Sequence, residues 1–290
     1  MIIAIDVGGT KISAALMHKH KIIEKRKMDS VIQSDLPNLA RHLRNLCDGW
    51  ADKAQQIAVA CTGQVGSEHV NFLSAKHKLP LKAQLETAFN LPVCIINDAA
   101  AAAWAEYCQL ERNISTSNTL VYITVSTGIG GGMIQNGQLV SSADGFSAHL
   151  GHTSVQHPSA HIMCHCGRKN CVEAIASGTA IALQASKVLN KAVSCKDVFT
   201  HYMHVPEITL LIDDAASALS DLIANVKAIS GTQAVILGGS VGSCETFFKQ
   251  VKDKVAKLPT IYQVNIELPR CGADADLIGV SLYAQDNKDI

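Results

Sequence analysis

The sequence predicts an α/β protein in which one layout occurs twice. Three observations carry this. Strand-like and helix-like segments alternate through the first half. The second half repeats that order around a cysteine- and histidine-rich insertion. In each half the first buried strand runs straight into a glycine-rich turn. Hydrophobic residues make up 48% of the 290, which supplies a large core and excludes disorder as the main state.

The elements follow in order. Ile2–Asp6 is a buried strand, and Ile12–Met17 and Lys21–Lys27 are two more, joined by a polar turn at His18–His20. Leu36, Leu39, Leu43, Leu46 and Trp50 recur at helical spacing and predict a helix over Leu36–Trp50. A short strand, Ile57–Cys61, precedes a helix over Leu81–Phe89 that Asn90 and Pro92 close. Val93–Ile96 is a strand and Asp98–Tyr107 an alanine-rich helix, so the first half makes a mixed sheet covered on both faces. Leu120–Val125, Gly131–Gln135 and Gln138–Val140 start the repeat, with Asn136-Gly137 as the hairpin turn. Helices over Gly178–Leu189 and Ile208–Ile229, a strand Ala234–Leu237, a helix over Val241–Leu258, a strand Val264–Leu268 and a helix Asp274–Gln285 complete it. The pattern breaks near residues 109–118. This gives an N-terminal α/β domain over 1–115, completed by the C-terminal helix 274–290, and a C-terminal α/β domain over 116–273 carrying loop 149–171.

Twenty-five basic residues cancel twenty-five acidic ones. No global field draws in nucleic acid or an anionic membrane, so any charge-dependent site is local. The sequence opens as an apolar strand closed by an acid, without the basic and small-residue pattern of a signal peptide. Residues 113–143 carry no charge, yet Ser, Thr, Asn and Gly interrupt them before a span forms. The expected location is the cytoplasm, where clustered cysteines suggest metal before disulfide.

Asp6-Val7-Gly8-Gly9-Thr10-Lys11 follows a buried strand. Glycines there let the backbone approach phosphate oxygens with its amides, Thr10 and Lys11 add a hydroxyl and a cation, and Asp6 is placed to orient hydrated Mg2+. A tight hairpin alone explains the turn equally well. The loop lacks Walker A spacing. Ser126-Thr127-Gly128-Ile129-Gly130-Gly131-Gly132 repeats the device in the second half, and Gly238-Gly239-Ser240 is a third turn between a strand and a helix. Three such turns in duplicated halves are more specific for a nucleotide than any one of them.

Asn97-Asp98 stands just past a buried strand, where ligands of open α/β sheets gather. Asp98 suits two roles: cap of the following helix, or acceptor of a sugar hydroxyl's proton during attack on a phosphoryl group, with Asn97 on a neighbouring hydroxyl. Five of the twelve histidines and three of the ten cysteines lie between residues 149 and 171. Cys164, Cys166, Cys171 and His152 make a closed tetrahedral zinc set, with His157, His161 and His165 as rival ligands. The Cys-x-Cys spacing is tighter than the usual one. The other cysteines read as small core hydrophobes.

Together these segments, with Cys171-Val172-Glu173-Ala174, resemble the ROK family (repressors, open reading frames and sugar kinases) of the actin and hexokinase superfamily over essentially the whole length. The resemblance implies an actin/hexokinase-like ATPase fold, two ribonuclease-H-like domains around a cleft. It implies ATP on Asp6, Gly8, Gly9, Thr10, Lys11, Thr127, Gly128, Gly130, Gly131, Gly132 and Gly239. It further implies Asp98 as catalytic base, a sugar on Gly63, Asn97, Asp98, His149, His152 and Glu173, and structural zinc on His152, Cys164, Cys166 and Cys171.

Within the family the wording around Asn97-Asp98-Ala99, Ile123–Gly128 and Glu173–Gly178 is similar to the bacterial N-acetylmannosamine kinases. This implies MgATP-dependent phosphorylation of that sugar's 6-hydroxyl, in sialic acid and amino sugar catabolism. His149 stands where most family sugar kinases carry a glutamate, and Ser74–Leu79 departs from the family's sugar loop. A glucokinase or fructokinase and a sugar-sensing repressor are the competing readings. The repressor needs a helix-turn-helix ahead of the strand that here begins at Ile2. Low charge and the family both favour a homodimer.

Overall fold

The computed structural model describes residues 1–73, 75–110, 119–156 and 162–287. Ser74, His157, His161 and the expected domain break at 111–118 fall outside the described residues.

The strands are β1 (Ile2–Val7), β2 (Lys11–His18), β3 (Lys21–Asp29), β4 (Gln56–Cys61), β5 (Gln64–Val65), β6 (Val70–Phe72), β7 (His77–Leu79), β8 (Val93–Asn97), β9 (Thr119–Val125), β10 (Ile129–Gln135), β11 (Gln138–Leu139), β12 (Ala234–Gly238) and β13 (Asn265–Glu267). The helices are α1 (Leu39–Leu46), α2 (Leu81–Phe89), α3 (Asp98–Leu110), α4 (Val172–Ala176), α5 (Gly178–Val188), α6 (Cys195–Asp197), α7 (Pro206–Ser230), α8 (Gly239–Gly242), α9 (Glu245–Ala256) and α10 (Ala275–Asp286).

The duplication is plain in the sheets. The first runs β3-β2-β1-β4-β8 and the second β11-β10-β9-β12-β13. In both, the leading strand pairs antiparallel with the next strand in sequence and parallel with the fourth of its set. A further three-stranded sheet, β5-β6-β7, is not predicted from sequence, because its strands are two or three residues long and carry polar residues such as Gln64, Asn71 and His77. Two of the expected helices are also shorter than their apolar spacing. α1 is Leu39–Leu46, flanked by 3-10 turns, and the expected helix over Val241–Leu258 breaks between α8 and α9.

By contacts the chain forms two compact units: Met1–Ile114 with Gln138–Ala148 and Arg270–Ile290, and Ser115–Gly137 with His149–Pro269. The sequence puts 138–148 in the second domain. It groups with the first because Gln64 Nε2 donates to Asp144 O (2.8 Å) and Ser67 N to Ala143 O (3.1 Å).

The pleat of β1 sorts the first unit. Ile3, Ile5 and Val7 join the core under α1 and α2. Ile2 and Ala4 join the opposite core with Ala101 of α3 and Leu277 and Val280 of α10. Asp6 continues that second face, towards the α3 and α10 side. These two helices touch closely: a Cβ on Gly279 would lie 1.8 Å from Ala101 O. In the second unit Val121, Ile123 and Val125 of β9 pack with α7 and α9 around Leu219, Leu222 and Phe247.

Candidate active site

The first unit gathers carboxylates at the carboxyl end of its parallel strands. Asp6 sits opposite Ala60, and Ala60 opposite Ile96, so β1 delivers Asp6 to the strand end where Asn97 and Asp98 follow. Asp98 opens α3. Of the two roles open to Asp98, the cap falls mainly on Asn97, whose Oδ1 accepts from Ala99 N (3.0 Å) and Ala100 N (3.3 Å). Asn97 Nδ2 donates to Gly63 O (3.1 Å). Gly63 has φ +98, and a Cβ there would lie 2.6 Å from Asn71 O, so only glycine fits. Asp98 accepts from Ala99 N at 2.8 Å.

Burial raises the Asp98 carboxyl above its ordinary range, against hydrogen bonds from Ala99, Thr62 and Asn97 that pull it down. Burial, then the neighbouring Asp98, pushes Asp6 up to about 7. Asp276, in the first turn of α10, is raised well above its usual value by burial and by Asp6 and Asp98. Asp274 forms an ion pair with Lys25. Asp98 thus acts on both Asp6 and Asp276, which places the three carboxylates near one another at this strand end. Asp276 and Lys25 are missed from sequence. The only signal for Asp276 is an Asp-x-Asp pair at the start of the last helix, and Lys25 leaves none.

The Asp6–Lys11 turn closes with Gly8 N donating to Lys11 O (3.0 Å), and a Cβ on Gly8 would lie 2.8 Å from that oxygen. Gly9, Thr10 and Lys11 are exposed at the tip.

The second unit holds the matching turn. Ser126 N donates to Gly128 O (2.9 Å), Gly178 N to Ser126 O (2.8 Å), and Thr179 Oγ1 to Thr127 O (2.8 Å). The start of α5 therefore fixes Ser126 and Thr127 through their carbonyls, while the Gly128 carbonyl closes the turn on Ser126 N. The expected glycine run is shorter than its composition. Gly130, Gly131 and Gly132 lie inside β10, opposite Thr124, Ile123 and Tyr122, because the turn proper ends at Gly128. Gly239 opens α8 with φ +81, and a Cβ would lie 2.3 Å from Val125 O.

His152, Cys164, Cys166 and Cys171 come together, their ligand atoms all within 4.8 Å of one another. Cys164 Sγ is 3.7 Å from His152 Nδ1 and Cys166 Sγ 3.6 Å from Cys171 Sγ. A tetrahedron with Zn–S bonds of ~2.3 Å has edges of ~3.7 Å, so the residues fit zinc, and the sulfur pair is far longer than a disulfide. Burial raises Cys164 and Cys171, while hydrogen bonds from Arg168 and its neighbouring cysteines take Cys166 down. Burial also keeps His152 below its ordinary value, the neutral form a metal needs. His165 takes no place in this set.

Glu173 lies at the start of α4. Its Oε2 accepts from Ile129 N (2.8 Å) and would sit 2.6 Å from a Cβ on Gly128. The His149 ring stacks parallel on His152, centroids 6.1 Å apart.

The ROK family model matches residues 2–287. The N-acetylmannosamine kinase of Shigella boydii serotype 18 is 40% identical, with 99% of each chain covered. That of Citrobacter koseri is 38% identical, again over 99% of each. Among solved structures, the ROK hexokinase of Thermus thermophilus superposes with a TM-score of 0.80 at 24% identity and 99% coverage of both chains, a likeness of fold. Full-length agreement of the family model and of these relatives places the chain: it belongs to the ROK family.

Proposed function

We propose that this protein is an ATP-dependent N-acetylmannosamine kinase that phosphorylates the sugar's 6-hydroxyl in sialic acid and amino sugar catabolism. The reaction class rests on Asp98, a buried carboxylate with a raised proton affinity, next to Asp6 at the strand end. The sugar rests on full-length relatives named N-acetylmannosamine kinase at 38–40% identity.

In this reading Asp98 accepts the proton of the 6-hydroxyl as the hydroxyl oxygen bonds to the γ-phosphorus of ATP and the bond from that phosphorus to the β,γ-bridging oxygen breaks, releasing ADP. A carboxylate with a raised pKa is a stronger base than a solvated one, which suits it to that task. Asn97 and Gly63 hold Asp98 in register through the Asn97 side chain. His149, His152 and Glu173 hydrogen-bond the sugar's other polar groups. The Gly8–Lys11 and Thr127–Gly128 turns, with Gly239, bind the nucleotide. Asp6 would hold hydrated Mg2+, which would supply charge neutralisation on the phosphates. Positioning and electrostatics then carry most of the acceleration. Zinc on His152, Cys164, Cys166 and Cys171 is structural, since four protein ligands close its shell. A cytoplasmic homodimer acting on small molecules, without nucleic acid or membrane partners, completes the reading. A net charge of +0 leaves no global field to attract nucleic acid or an anionic membrane.

The test is the position of the new phosphate. Product made from N-acetylmannosamine and ATP is expected to show phosphorus–carbon coupling at C6, and the 6-deoxy sugar is expected to be inert. Turnover of the 6-deoxy analogue would overturn the assignment of the acceptor.

A further inference from the structure

His165 sits between two zinc-set cysteines, Cys164 and Cys166, and leaves the metal set for a different cluster. Its Nε2 stands 3.5 Å from Glu173 Oε1. Its ring meets that of His152 edge to face, with centroids 5.5 Å apart. One ligand atom each from His152, His165 and Glu173 falls within 4.8 Å of the others. The two oxygens of Glu173 differ. Oε2 is held by Ile129 N–H, whereas Oε1 is buried and has no hydrogen-bond partner among the described residues. A buried carboxylate oxygen left so is unfavourable until a donor reaches it. His165, with 51% of its side chain exposed, stands at the rim of this cluster, open to solvent on one side and facing Glu173 on the other. Its backbone is pinned on both sides by cysteines of the zinc set.

We propose that His165 is a sugar-binding residue, hydrogen-bonding the substrate group next to the hydroxyl that donates to Glu173 Oε1. This rests on the kinase reading. Zinc bound to Cys164 and Cys166 would then do more than close a loop, since those two cysteines flank His165 and set where it presents its nitrogen. A contact made equally before and during the reaction changes KM and leaves kcat alone.

The experiment compares wild type, His165→Ala and His165→Gln, each with zinc content measured. Affinity for a panel of hexoses and N-acetylhexosamines is read by equilibrium dialysis without ATP, and KM values by turnover. His165→Ala is expected to weaken sugar binding and raise sugar KM by about 5- to 20-fold, as for one lost polar contact, with ATP KM and kcat within about twofold. His165→Gln, which keeps a polar atom at similar reach, is expected to recover most of the loss at equal zinc content. Unchanged sugar affinity in zinc-replete His165→Ala would overturn the proposal, as would parallel losses for sugar and ATP. Zinc inhibition of wild type, competitive with sugar and absent from His165→Ala, would overturn it in favour of a second metal site. A wild type that prefers a different sugar removes the N-acetylmannosamine assignment, and His165 is then judged on that sugar. A wild type that binds no sugar contradicts both.

Discussion

Asp98 shares its helix start with Asn97, and the two side chains divide the work. Asn97 accepts from the amides of both Ala99 and Ala100, so α3 stays capped without the Asp98 carboxylate, which itself accepts from Ala99. Asp98→Asn keeps the fold and removes the proton acceptor, and kcat is expected to fall by roughly 10²-fold or more, measured beside a circular dichroism spectrum that matches wild type. Near-normal turnover would leave Asp98 without a catalytic role. Asp6 gives a pH signature. Its carboxyl rises from 3.8 to about 7 in the fold, and Asp98 and Asp276 shift the same way. A raised pKa in the folded state contributes stability below the unfolded value that is lost as pH climbs to the folded one. The thermal midpoint of the ligand-free protein is therefore expected to fall between pH ~4 and ~7, and Asp6→Asn to flatten that slope. An identical slope in the variant would remove Asp6 as its source. His149 bears on sugar choice. An imidazole donates or accepts, whereas a carboxylate only accepts. His149→Glu is expected to shift kcat/KM for N-acetylmannosamine over glucose towards glucose by about 5- to 150-fold. Zinc content is the control, because the His149 ring stacks on a zinc-set histidine.

At the scale of elements, the alanine-rich α3 and the last helix explain each other. Gly279 of α10 lies against the backbone of Ala101 and Ala105, with no room for a methyl group. This approach brings the first turns of α3 and α10, with Asp98 and Asp276, to the end of β1. Gly279→Ala must push two backbones apart, which costs about 1–3 kcal/mol and is expected to lower the thermal midpoint and kcat together. A variant with wild-type melting would show that the helices separate freely. The zinc loop is the second case. Cys166→Ser removes one of four ligands, and metal analysis is expected to fall from about one zinc per chain to well below it. Equal zinc in wild type and variant would contradict the ligand set.

Across the whole molecule, the order of strands and helices was legible because each sheet's leading strand is apolar and bounded by glycine. The alternation Ile3, Ile5, Val7 against Ile2, Ala4, Asp6 even fixes which face Asp6 takes. The three thiols of the His/Cys cluster were legible from spacing, since Cys164, Cys166 and Cys171 are close in sequence as well as in space, whereas the choice of His152 among the histidines was not. What escaped was non-local. Asp276 reaches Asp6 and Asp98 only through the return of the last helix, and the β5-β6-β7 sheet has strands too short for any period to show. His165 looked like a rival ligand because sequence distance does not tell which way a ring turns.

The central claim is the sugar itself. The most direct measurement is ADP release by the zinc-replete protein with MgATP and N-acetylmannosamine, N-acetylglucosamine, glucose or fructose, compared as kcat/KM. The highest value is expected for N-acetylmannosamine. A higher value for glucose or fructose, or no sugar-dependent ADP release at all, would contradict it.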